Sequence, residues 1–169
     1  MPGNPALAQG GGGREADGME AQLDKIRLRV VTQGGVCPDP NRPCDGFKAN
    51  ELSFKIAKPF DFDRGKDVST PLYAVVLKSA ALCSITEAER LRVQALFPER
   101  KVFVRQYFCQ DYGDKVTYTN VNEKYGFIAV YAGETEGDAR KVLAQVKTTG
   151  QFPDANIRKI AVIVVYQIE

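Results

Sequence analysis

Two stretches of the chain carry the same order of apolar and polar positions. In the first, the apolar run LYAVVL at 72–77 precedes SITE at 84–87, where Ser84 and Glu87 stand three apart as in a capping box. Ile85, Ala88, Leu91, Ala95 and Leu96 then fall on one side of a 3.6-residue period, Pro98 stops the helix, and KVFVRQYF supplies a second strand. In the second stretch FIAVY is the strand, Thr135 and Asp138 form the cap, and Ala139, Val142, Leu143 and Val146 are the apolar stripe. Gly150 sits where a helix-terminating glycine belongs, and NIRKIAVIVVY closes the unit. A Phe-Pro pair marks the helix-to-strand turn both times, at Phe97-Pro98 and Phe152-Pro153. The pattern predicts one strand-helix-strand unit written twice, with helices over 84–96 and 135–149. Between the units, KVTYTNV alternates after a turn at Tyr112-Gly113-Asp114 and predicts a hairpin extension at the sheet edge.

Before the repeat, KIRLRVV alternates Ile26, Leu28 and Val30 with arginines, and ELSFKI alternates Leu52, Phe54 and Ile56 with polar residues. Both have the period of half-buried strands, joined by the proline-rich loop CPDPNRPCDG. AKPFDFDRGKDVSTP has no period and reads as a connector. The organisation expected is a disordered leader at 1–22, a two-strand extension with connector at 23–70, and the duplicated domain at 71–169.

Composition narrows the function. A net charge of +2 over 169 residues, without a basic cluster, argues against nucleic acid. No run approaches the roughly 18–20 apolar residues of a membrane-crossing helix. The absence of histidine removes the usual general base, the Ser-His and Cys-His pairs and the commonest metal ligand, and it leaves no catalytic constellation to name. Glu134, Glu136 and Asp138 lie in a helix's first turn, where they complement its dipole, and Asp61, Asp63 and Asp67 lack calcium-loop spacing. No cofactor and no metal are expected. Cys37, Cys44, Cys83 and Cys109 form no C-x-x-C pair. Two disulfides and four reduced thiols both fit the count; the disulfide reading pairs Cys37 with Cys44 across the proline loop and Cys83 with Cys109 across the first unit. Ala6-Leu7-Ala8 has the small-x-small form found before signal-peptidase cleavage, which points to export to the periplasm; a chance match leaves the protein cytoplasmic.

The order LYAVVLKS, capped helix, FPERKVFV, then YGFIAVYAGETEGDARKVL and TGQFPDANIRKIAVIVVY resembles the sporulation-related repeat, or SPOR, family over about residues 72–166. The resemblance implies an α+β, ferredoxin-like β-α-β-β-α-β fold, pseudo-duplicated and here preceded by the N-terminal two-strand extension. It also implies a non-catalytic cell-envelope module that binds peptidoglycan glycan strands on the sheet face its helices leave uncovered. The polar residues that SPOR strands often carry on that face are replaced here by Val75 and Ala129. With helices over Ala74, Val76, Ile128 and Val130, the opposite face shows Tyr73, Val75, Leu77, Phe127, Ala129 and Tyr131. So apolar a face is not left bare in a soluble monomer. Three occupants remain open: the N-terminal strands, a second copy in a homodimer, or the ligand. As a glycan site it would use the rings of Tyr73, Phe127 and Tyr131, with Arg105 and Gln106 as hydrogen-bonding partners. The alternative function is a protein-interaction or assembly module that dimerises or docks an envelope protein through the sheet face or edge.

Overall fold

A computed structural model describes residues 39–42, 47–54, 66–106, 109 and 116–165. The leader, the strand expected at Lys25–Val31 and the Cys37–Cys44 pair lie outside them. Among the described residues the protein is α+β, with two helices and seven strands in two antiparallel sheets. In chain order these are β1 (Lys66–Val68), β2 (Leu72–Ala81), α1 (Glu87–Leu96), β3 (Val102–Arg105), β4 (Val116–Tyr118), β5 (Tyr125–Tyr131), α2 (Glu136–Thr148), β6 (Asn156–Ile160) and β7 (Val162–Val165).

The larger sheet has the order β3-β5-β2-β6, with every neighbouring pair antiparallel. Each central strand is therefore flanked by the outer strand of the other unit. Both helices lie on one face, over Val75, Leu77, Val102, Val104, Ile128 and Val130. The other face is filled as well. Ala74, Val76, Phe103, Phe127, Ala129 and Tyr131 pack there against Val116 and Tyr118 of β4, Val162 of β7, and Leu52 and Phe54 of the N-terminal segment.

The cover over this second face differs from the sequence expectation in three ways. Residues 51–54 form no strand; Leu52, Ser53 and Phe54 are all buried, and the Asn50 carbonyl accepts the Val104 amide at 2.9 Å, which ties the segment to β3. KVTYTNV supplies β4, which pairs with β7 in the small sheet β1-β7-β4, while the turn expected at Tyr112-Gly113-Asp114 lies outside the described residues. The closing strand is broken at Ala161. There the Ala161 amide donates to Thr119 Oγ1 and the Val162 amide to Ser69 Oγ, so two hydroxyls carry the strand from one sheet into the other. The connector contributes β1, which pairs with β7 from Lys66–Val165 to Val68–Ile163.

The phase of β2 is also opposite to expectation. Ala74 pairs with Tyr131 and Val76 with Ala129, so these residues share the face that the helices leave, while Val75 and Leu77 join the helix-side core. A run apolar at every position has no alternation from which a phase can be read, which is typical of a strand buried on both faces. A register shift between Val76 and Lys78 then turns Lys78 to the helix side, where it pairs with Glu89 at 2.8 Å.

The second helix is as expected: Thr135 caps it by accepting from the Asp138 amide, Ala139, Val142 and Val146 are buried, and Gly150 takes φ +67° just past its end. The first is not. Its N-cap is Thr86, which accepts from the Glu89 amide; SITEAE contains two capping boxes two residues apart. Its buried residues are Arg90 and Val93, and the expected stripe at Leu91 and Leu96 is 53% and 39% exposed.

Gly126 gives a direct test of the strand packing. A Cβ there would lie 2.9 Å from the Arg105 carbonyl oxygen, a backbone atom that cannot swing aside. Gly126→Ala is therefore expected to cost about 1–3 kcal/mol by overpacking, read by urea denaturation. An unchanged midpoint would contradict the close approach of β3 to β5.

Candidate functional site

Among the described residues, the small sheet and the N-terminal segment leave one end of the second face uncovered. There a cleft of about 330 Å³ opens between the sheet and the loop that follows β4. Its floor is Val76, Ser79 and Phe127, and the Tyr125 ring, 50% exposed, stands at its side. Asn156 and Arg158 line it because β6 pairs them with Val76 and Ala74, on the same face. Asn120 and Asn122 come from the loop.

Local chemistry fixes these groups. Asn120 adopts φ 55°, a left-handed conformation that asparagine tolerates, and donates to the Lys159 carbonyl at 3.1 Å. Asn122 accepts from the Lys124 amide at 3.0 Å, and the Tyr125 amide donates to the Asn122 carbonyl. Arg158 Nε donates to Asn156 Oδ1 at 3.0 Å, which orients both side chains. The cleft thus sets amides, one hydroxyl and one guanidinium around an aromatic ring. Such a set suits hydroxyl- and amide-rich ligands through hydrogen bonds and stacking.

The residues expected to bind are distributed elsewhere. Phe127 is 5% exposed and borders the cleft from within an aromatic cluster, its ring centroid 6.1 Å from Phe103 and 5.7 Å from Tyr118. Tyr131 is buried in the same core, and burial, followed by the Glu134 carboxylate, pushes its hydroxyl pKa up. Tyr73 belongs to the helix side, half-buried, with Lys159 Nζ 5.8 Å from its ring centroid. Arg105 is buried beneath the cleft loop, donating from Nη1 to the carbonyls of Glu123 at 3.1 Å and Tyr125 at 2.6 Å. Buried Gln106 donates to the Ile85 carbonyl ahead of α1. These five do not converge on one exposed surface. Arg105 nonetheless serves the cleft, because it holds the loop that carries Asn122 and Tyr125.

Tyr125, Asn120, Asn122, Asn156 and Arg158 were not singled out from the sequence. Their signals were the Asn-rich TNVNEKY ahead of a strand and the two-residue spacing of Asn156 and Arg158. Cys83 and Cys109 are joined, with Cα atoms 5.5 Å apart, and the bond ties the turn before α1 to the segment after β3. Among the described residues, no helix is long and apolar enough to cross a membrane, and no group of three or more His, Cys, Asp or Glu residues is placed to hold a metal ion. No family model matches the sequence, and no curated protein or solved structure matches it at a significant level.

Proposed function

We propose that the protein is a non-catalytic, SPOR-like envelope module that binds peptidoglycan glycan strands in the cleft beside Tyr125. One observation carries the reading: an exposed aromatic ring set among Ser79, Asn120, Asn122, Asn156 and Arg158 on a stretch of the second face that the described residues leave open. Acetamido and hydroxyl groups match these donors and acceptors, and a sugar ring matches the flat face of Tyr125.

The ferredoxin-like, pseudo-duplicated reading of the domain belongs to the same proposal. Its support is the strand order β3-β5-β2-β6, which places equivalent strands symmetrically about the central pair, and the contact between the two repeated Phe-Pro turns, where the Phe97 and Phe152 rings lie 6.5 Å apart. Residence outside the cytoplasm is supported by the Cys83–Cys109 bond, since structural disulfides persist in oxidising compartments.

Co-sedimentation with purified peptidoglycan sacculi tests the reading. The protein is expected to pellet with sacculi, more strongly with those stripped of stem peptides. Tyr125→Ala is expected to weaken binding by about 1–3 kcal/mol, the worth of one ring stacked on a ligand, without moving the unfolding midpoint. Protein that stays in the supernatant with both kinds of sacculi would end the glycan reading. A protein-interaction module would instead show a concentration-dependent dimer or a protein partner.

A further inference from the structure

Helix α1 turns the wrong side to the sheet for its sequence. Arg90 and Val93 face inward, while Leu91 and Ala95, two members of its apolar stripe, stand with Pro98 along a groove of about 860 Å³. The facing wall is the N-terminal segment, with the half-buried Phe47 ring and Lys48. Lys101 reaches into the same groove and donates from Nζ to the Ala49 carbonyl.

The charges in this groove are unbalanced. Arg90 is satisfied by Glu87 at 2.6 Å and by the Val102 carbonyl, and the Glu51 carboxylate accepts the Lys48 amide at 2.8 Å. Lys101 makes no ion pair among the described residues. Burial first, and then the neighbouring Arg90, bring its pKa down to about 8, against the pull of Glu87 and Glu51. A partly buried ammonium beside a like charge is relieved by an incoming anion. The volume lies in the range of small-molecule sites, and the apolar stripe supplies the wall that a purely ionic site would lack.

We propose that the groove between α1 and the N-terminal segment binds a small amphiphilic anion, its head group at Lys101 and its apolar body against Leu91, Ala95 and Phe47. This site is separate from the glycan cleft and stands or falls independently of it. The occupant is a single soluble molecule, because the groove runs between α1 and the N-terminal segment and only Leu91 and Ala95 of the stripe line it.

The test uses the full chain with decanoate, the neutral decanamide and decyltrimethylammonium as probes, followed by NMR. Saturable decanoate shifts are expected at Phe47, Leu91, Ala95 and Lys101, with the Lys101 side-chain pKa raised by one unit or more. Decanamide and decyltrimethylammonium should bind at least tenfold more weakly. Lys101→Gln and Leu91→Asp should each weaken decanoate binding at least tenfold; Leu91 is exposed, so the second variant keeps the fold if Lys101→Gln does not. Equal binding of the three probes, shifts located elsewhere, an unmoved Lys101 pKa, or binding only to anionic lipid vesicles would each overturn the proposal.

Discussion

Replacing Phe127 by alanine is expected to lower the unfolding free energy by about 3–5 kcal/mol, the cost of removing a large aromatic side chain from a packed core. The ring packs against both Phe103 and Tyr118, which also touch each other with centroids 5.3 Å apart, so truncation opens a cavity within a three-ring cluster that spans the two sheets. Urea denaturation followed by circular dichroism reads the effect. A loss below about 1 kcal/mol would mean that the ring meets solvent or a ligand instead of the chain's own cover. Tyr125→Ala provides the contrast, since its ring is half exposed and should matter for binding more than for stability.

Removing the Cys83–Cys109 bond is expected to have an effect of similar size. The bond closes a chain loop of sequence separation 26 that contains all of α1 and β3. In the chain-entropy account a loop of this length is worth about 3–4 kcal/mol. Cys83→Ser together with Cys109→Ser should lower the unfolding free energy by that amount, and reductant should lower the midpoint of the wild type by more than that of the double variant. Equal midpoints for wild type and double variant would show that the bond does not constrain the unfolded chain.

What the sequence made legible follows from what each pattern contains. The second helix was readable because its cap, stripe and terminal glycine agree: Thr135, Ala139, Val142, Val146 and Gly150 all stand where the pattern places them. The first helix was placed correctly, but its inward side was misread because its apolar stripe does not face the sheet. Arg90 takes the inward position by pairing with Glu87 and the Val102 carbonyl, a tertiary solution that periodicity cannot register. The phase of β2 was unreadable because both of its faces are buried. β7 was hidden inside one continuous apolar run, and its separation from β6 depends on Thr119 and Ser69, which are distant in sequence.

The candidate site was legible only in part. An apolar sheet face in need of cover was correctly recognised, and Leu52 and Phe54 do help to fill it. Among the described residues β4 and β7 supply cover as well, and Phe127 and Tyr131, two of the three aromatic residues expected to stack on a ligand, became the core beneath them. The exposed residues of the cleft are ordinary polar ones that only the β6 register and the loop after β4 bring together. Tyr125 was passed over because it starts a strand instead of standing within its apolar run.

Among the described residues, the chain's own segments cover the second sheet face and leave its Tyr125 end open. Paramagnetic broadening of ring-proton NMR signals by a soluble gadolinium chelate tests it most directly. The Tyr125 ring should broaden strongly, while those of Phe103, Phe127 and Tyr131 remain sharp. Broadening of Phe127 and Tyr131 to the same degree as Tyr125 would contradict the account.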